Sequence, residues 1–328
     1  FFLHPQPAKP DPLWSRGLGD VYKRQSPAGG LPELKDALRS KTLRDSGVDL
    51  EPTQFLVTNG GKQAVFNTMM SLVDPGDEII LPAPYWTTYP ESIRMFGGVP
   101  VEVLAGAEQG FRVTVEQLEA ARTSKTKALV FVSPSNPTGA VYSRDEIAAI
   151  GSWAAENGVW VITDEIYEHL VYDEREHHSM PAVIPEVMDR CLILNGVAKT
   201  YAMTGWRVGW IMGPADTINR IEAIQSTAIS CPTSFAQAGV AAALNGSIGM
   251  RDEPIDQLHI RLARHRDRLV GGLRQIPGIS CVQASGGFFV FPNLSSFAMN
   301  SSDLSEHLLH DAGIMTVPGD AFGDHGQG

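Results

Sequence analysis

Five short segments carry residue types that do chemistry, and each follows directly on a short apolar run. They are Asn59-Gly60-Gly61-Lys62, Pro84-Tyr85-Trp86, Ser133-Pro134-Ser135-Asn136-Pro137-Thr138-Gly139, Asp164-Glu165-Ile166-Tyr167 and Asn195-Gly196-Val197-Ala198-Lys199. A lysine such as Lys199 can act as a nucleophilic amine if a shielded site takes away its proton, which an arginine cannot do. A buried aspartate such as Asp164 stabilises a nearby positive charge. Trp86 offers a flat apolar face, and Gly60-Gly61, at the start of a helix, can present backbone N–H groups to an anion. Each residue also has an ordinary reading: a tight strand-to-helix turn, a loop at Asn136-Pro137, a helix cap at Asp164, a surface lysine, a core aromatic. Leu56 and Gln63 stand where a P-loop needs its diagnostic residues, so that motif is absent. What separates this set from chance is that all five fall at strand ends on one edge, where open α/β sheets bind ligands.

The elements that place them are legible as an alternation. Apolar runs at 55–57, 78–81, 99–103, 128–132, 159–162, 191–194 and 208–211 read as strands, and amphipathic stretches such as 144–157 separate most of them. Buried strands alternating with helices imply an α/β fold with a mostly parallel sheet of about seven strands between helices. Leu31, Leu34, Ala37 and Leu38 start a helix that runs toward Gly47. A long helix over about 254–275 then leads to strands at 279–282 and 288–291, a smaller α+β unit. The expected division is an irregular or non-native segment at 1–25, a large domain at 26–253, and a connecting helix with an incomplete small domain at 254–328. The 328 residues carry 26 Lys+Arg against 37 Asp+Glu, a net charge of −11, which disfavours nucleic acid or an anionic membrane as partner. No apolar run approaches bilayer length, and the three scattered cysteines suggest neither a disulfide framework nor a metal ribbon. His177-His178 reads as solvated loop, and no metal is expected.

Taken in order, Val57-Thr58-Asn59-Gly60-Gly61-Lys62-Gln63, Ala83-Pro84-Tyr85-Trp86, Ser135-Asn136-Pro137-Thr138-Gly139, Asp164-Glu165-Ile166-Tyr167 and Ala198-Lys199-Thr200-Tyr201-Ala202-Met203-Thr204-Gly205-Trp206-Arg207-Val208-Gly209 resemble the fold-type I pyridoxal-phosphate aminotransferases of class I. The likeness is to their bacterial aspartate aminotransferase branch, and it covers residues 26 to about 323. It implies pyridoxal 5'-phosphate as cofactor, with Lys199 carrying the Schiff base and Asp164 paired with the pyridine nitrogen. Tyr167 and Asn136 would contact the ring hydroxyl, Trp86 would stack on the ring, and Arg207 with Gly60-Gly61 would hold the phosphate. The freed Lys199 would move the substrate proton in a ping-pong transamination between an amino acid and a 2-oxo acid. The lysine matching Lys62 meets the distal carboxylate in that branch, which favours aspartate or glutamate, with Trp86 and Asn136 also near the substrate. A role for Lys62 at the phosphate, an aromatic or prephenate substrate, and a C–S lyase or decarboxylase on the same scaffold stay open. A regulatory sensing domain would need a basic helix-turn-helix in front, which residues 1–25 cannot supply. A cytoplasmic homodimer is expected from the resemblance.

Three departures stand out. The arginine that in the family binds the substrate α-carboxylate follows the Pro318–Gly323 segment, in a stretch this chain does not contain. Gln25 occupies the place of a tyrosine that a partner subunit lends to the phosphate, and Gly196 replaces a hydroxyl often found three residues before the lysine. Both ends therefore read as truncated or mis-joined, and a polypeptide ending at Gly328 is expected to bind cofactor but react poorly.

Overall fold

The computed structural model describes residues 26–246 and 253–328. The expectations for residues 1–25, Gln25 among them, lie outside the described residues.

The apolar runs become one seven-stranded sheet: β1 (Phe55–Thr58), β2 (Glu78–Ala83), β3 (Val99–Leu104), β4 (Thr126–Val132), β5 (Trp160–Asp164), β6 (Cys191–Gly196) and β7 (Gly209–Met212). Their order is β1-β7-β6-β5-β4-β2-β3. Strand β7 pairs antiparallel with both β1 and β6, while the other pairings are parallel. Because β1, β2, β4, β5 and β6 point the same way, the polar segments that follow them emerge on a single edge. Antiparallel β7 begins at that edge, so Arg207, two residues before it, joins them.

The central strands are mostly apolar because both faces are covered, while edge strand β3 is largely half-buried or exposed. Along β4, Leu129 and Phe131 enter one core, Ala128 and Val130 the other. The first core is closed by Leu34 and Leu38 of α1 (Pro32–Ser46), Leu118 of α4 (Val115–Ala121), Ile147 and Ile150 of α5 (Arg144–Glu156), and Val240 and Leu244 of α8 (Ser234–Leu244). The second is closed by Val65 and Met69 of α2 (Gly61–Leu72), Tyr89 and Ile93 of α3 (Thr88–Met95), and Ile218 and Ile221 of α7 (Ala215–Ala228). Each fully buried leucine or isoleucine contributes roughly 1.5–3 kcal/mol. The reciprocal cap of α5, in which Ser143 and Glu146 accept each other's backbone N–H, is worth only about 1 kcal/mol. Packing against the sheet, more than local propensity, therefore holds the helices in place.

After the short α6 (Met180–Val183) and the β6–β7 pair, helix α9 (Glu253–Leu273) leads to β8 (Ser280–Cys281), β9 (Pro292–Asn293) and α10 (Ser301–Ala312). The expected strand at 279–282 contracts to two residues, and the expected strand at 288–291 does not form. Gly287, at φ +70°, turns the chain there instead, and tertiary bonds fix the turn. Gly287 N–H donates to Leu170 O at 2.8 Å, Tyr172 N–H to Ser285 O at 2.8 Å, and Arg266 reaches Asp173 at 2.6 and 2.8 Å and Ala284 O at 2.9 Å. This clamp brings Phe288 and Phe289 onto Tyr167, with ring centroids 5.6 and 5.5 Å away.

At the functional edge the backbones of β7 and the turn after β1 nearly touch. A Cβ on Gly209 would lie 2.7 Å from both Gly60 C and Gly61 N, and 3.0 Å from Asn195 O. Gly209→Ala is therefore expected to cost about 1–3 kcal/mol by overpacking. Urea unfolding reads this directly, and an unchanged midpoint would show that the contact is loose.

Candidate active site

Lys199 follows β6 by three residues and Asp164 ends β5, so two adjacent parallel strands deliver the amine and the acid to the same place. They line one cavity of about 250 Å³, together with Gly61, Lys62, Trp86, Asn136, Tyr167 and Arg207. Gly60 adjoins it: at φ +84° it carries no side chain, and a Cβ there would lie 2.6 Å from Arg207 Nη2. All nine residues singled out in the sequence thus meet at one site.

Asp164 is 7 % exposed. Its Oδ2 accepts from Tyr89 Oη at 2.7 Å, and its Oδ1 from the Ile166 N–H at 3.1 Å. Burial pushes its pKa up, against the Tyr89 and Ile166 hydrogen bonds and the nearby Lys199 ammonium, which pull it down. A carboxylate in that state gains most from a cation brought into the cavity. Burial lowers the Lys199 pKa, with Asp164 acting to raise it and Arg207 to lower it further. The Lys199 Nζ sits 5.0 Å from the Phe288 ring centroid and 5.7 Å from that of Tyr167. Burial, then the Asp164 charge, drives the Tyr167 phenol well above its ordinary pKa, while its hydrogen bond to the Asn136 side chain opposes this. The phenol is thus a hydrogen-bonding group that stays protonated.

Arg207 adopts a left-handed backbone, φ 55°, and its Nη1 donates to Thr204 O at 2.9 Å. That aims the guanidinium at the Gly60-Gly61 turn, where α2 begins and its first N–H groups point outward. Exposed Lys62, next along α2, donates to Thr88 Oγ1 at 3.1 Å and lies 5.0 Å from the centre of the Trp86 ring. Trp86 packs edge-on against Tyr89, so Tyr89 links the aromatic wall to the acid.

Sequence reasoning missed Tyr89, Phe288 and Phe289. Tyr89 lies three residues beyond Trp86, one helical turn away, and that spacing was its only signal. The two phenylalanines sat inside a run that resembled a strand. His177 corrects an expectation: its side chain is only 8 % exposed, with Nε2 3.5 Å from Glu165 Oε2, so it is no solvated loop residue. Burial opposes its protonation, but the Glu165 and Glu168 carboxylates outweigh this and raise its pKa.

The family model for aminotransferase class I and II matches residues 8–327 of this chain. The chain belongs to the class I and II aminotransferases. Members of that family depend on pyridoxal phosphate, and the protein is an enzyme that acts as a transaminase. It is 51 % identical over 314 residues to an aspartate aminotransferase of Streptomyces avermitilis, covering 93 % of this chain and 76 % of that one. It is 40 % identical over 305 residues to an aspartate/prephenate aminotransferase of Cereibacter sphaeroides, covering 90 % and 75 %. The structure of Thermus thermophilus aspartate aminotransferase with maleate superposes with a TM-score of 0.87 at 39 % identity, covering 94 % of this chain and 78 % of that chain. The aminotransferase fold and its mostly parallel sheet are therefore those of its relatives. Among the described residues no helix is long and apolar enough to cross a membrane.

The low Lys199 pKa has a direct consequence. In cofactor-free protein, acylation of Lys199, followed by peptide mass spectrometry, is expected to have its pH midpoint below that of ordinary surface lysines. Asp164→Asn removes the charge that holds the ammonium and should move the midpoint lower still; a midpoint at or above the surface value would contradict the burial argument.

Proposed function

We propose that this aminotransferase binds pyridoxal 5'-phosphate in the Lys199–Asp164 cavity and transfers the amino group of a dicarboxylic amino acid, aspartate or glutamate, to a 2-oxo acid. The observation that carries the reading is the pairing of a desolvated amine and a desolvated acid in one cavity. The fit is chemical as well as spatial: a buried acid for a ring cation, a low-pKa amine for an aldehyde, and a guanidinium against a glycine turn for a phosphate.

When bound, the cofactor supplies an aldehyde that reacts with amines and a cationic ring that stores the electron pair left on the substrate Cα. Lys199 would be the amine for the cofactor's aldehyde. When free, it would be the base that takes the substrate Cα proton and the acid that returns it, and its lowered pKa favours the free base. Asp164 would hold the ring nitrogen proton by electrostatic attraction, with Tyr89 and the Ile166 N–H fixing the carboxylate. Tyr167 and Asn136 would meet the ring hydroxyl, and Trp86 would offer a stacking face. Arg207 and the Gly60-Gly61 N–H groups would take the phosphate, donors suited to a dianion. Phe289 lines the cavity and, with Phe288, packs against the Tyr167 ring.

Lys62 is the basis of the substrate assignment. Its exposed ammonium lies over the Trp86 ring and bonds Thr88 Oγ1, at the edge of the same cavity, where a distal carboxylate could reach it. Maleate, a dicarboxylate, accompanies the Thermus thermophilus relative, and the name of the Cereibacter sphaeroides relative adds prephenate as a second acceptor reading. The division at about residue 254, a cytoplasmic location and a homodimer belong to the same proposal.

Added cofactor is expected to give a visible absorption band that aspartate abolishes and that alanine and tyrosine leave in place. Lys199→Ala should give no borohydride-reducible adduct, and an adduct at the parent level would show that another amine is used. Lys62→Ala is expected to lower kcat/KM for dicarboxylic substrates about tenfold, because solvent screens an exposed ammonium. An equal loss for every amino acid would assign Lys62 to the phosphate instead.

A further inference from the structure

Behind the cavity, on the side of α1, lies a buried ionic cluster that the proposed chemistry does not use. Lys41, only 2 % exposed, places Nζ 2.5 Å from Glu168 Oε1 and 3.2 Å from Asp45 Oδ2. The same Glu168 oxygen accepts from Asn195 Nδ2 at 2.9 Å, and Asn195 Oδ1 accepts from the Gly196 N–H at 2.7 Å. Glu168 and Asn195 are 8 and 3 % exposed. Buried ion pairs of this kind add little stability over well-packed apolar side chains; what they supply is direction.

That direction matters here because of where backbone pairing stops. The parallel ladder between β5 and β6 runs to the Asp164–Leu194 pair, after which Glu165 N–H donates to Leu194 O at 2.9 Å. Beyond that point one chain turns through Asp164–Glu168 and the other continues through Asn195 to Lys199. One segment carries the acid and the phenol, the other carries the amine, and the Glu168–Asn195 bond ties them across the gap. We propose that Glu168 and Asn195, anchored by Lys41, are positioning residues that set the Lys199 amine against Asp164 and Tyr167. The inference rests on the transaminase site assigned above. Burial works against both charges of the anchor, but each partner outweighs it: the Glu168 pKa stays lowered and that of Lys41 raised, so the tie persists across ordinary pH.

Two variants test this by different routes. Asn195→Ala cuts the tie and leaves the ion pair. Lys41→Met with Glu168→Leu replaces the ion pair by apolar side chains, and should keep the unfolding temperature close to the parent's while losing the tie. In both, kcat is expected to fall about ten- to a hundredfold with little change in KM, as for a misplaced reacting group. In both, the acylation midpoint of Lys199 in cofactor-free protein should rise toward that of a surface lysine. A folded variant of either kind that keeps both the parent's kcat and its midpoint overturns the proposal, as does lowered stability with both readouts unmoved. If the parent itself forms no reducible adduct with pyridoxal phosphate, it is the transaminase reading that fails, and the labelling midpoint still reports on the tie.

Discussion

The structure turns on one electrostatic constraint: a carboxylate and an amine are both withdrawn from water, at the ends of neighbouring parallel strands. Neither charge is comfortable there. Burial pushes the Asp164 pKa up and the Lys199 pKa down, so each group is poised to gain from a ligand that carries a positive nitrogen at one end and an electrophilic carbon at the other. The sheet makes this possible because its strands are rigid, covered on both faces, and terminate on one edge. Side chains from five strand ends and one strand beginning converge there without any long loop having to be ordered.

Around that pair, the remaining polar groups are held by short, local contacts. Arg207 is oriented by its own backbone conformation and by Thr204, Asp164 by Tyr89 and the Ile166 N–H. The aromatic side of the cavity is built differently. Phe288 and Phe289 arrive from the far end of the sequence and are set by the clamp of Arg266, Tyr172 and Leu170. The polar half of the site is thus organised by the sheet, and the apolar half by tertiary bonds between distant segments.

This difference explains what could be read from the sequence. All seven strands were visible as short apolar runs, most plainly where a segment is covered on both faces, as Ala128 to Val132 is. Lys199 and Asp164 were visible because polar residues just after such runs are conspicuous, whereas Arg207 was legible only through the family resemblance of the 198–209 segment. Phe288–Phe291 was misread because an aromatic run satisfies strand propensity, while the hydrogen bonds of Gly287 N–H to Leu170 O and of Tyr172 N–H to Ser285 O impose a turn that no local pattern encodes. Lys41 and His177 were illegible for a related reason. A lysine in a polar helix, or a histidine pair in a polar loop, reads as solvated, and only the approach of Glu168 and Glu165 across the fold makes their burial tolerable.

The contrast between Lys62 and Lys199 has a consequence for how such a protein can change. Lys62 is an exposed side chain on the first turn of α2, resting on Thr88 and the Trp86 face; no core residue depends on it. If Lys62 selects the substrate as proposed, preference among substrates could drift through substitutions there while the reacting centre stays as it is. Chemistry and selectivity would then be written in parts of the molecule with very different tolerance for mutation.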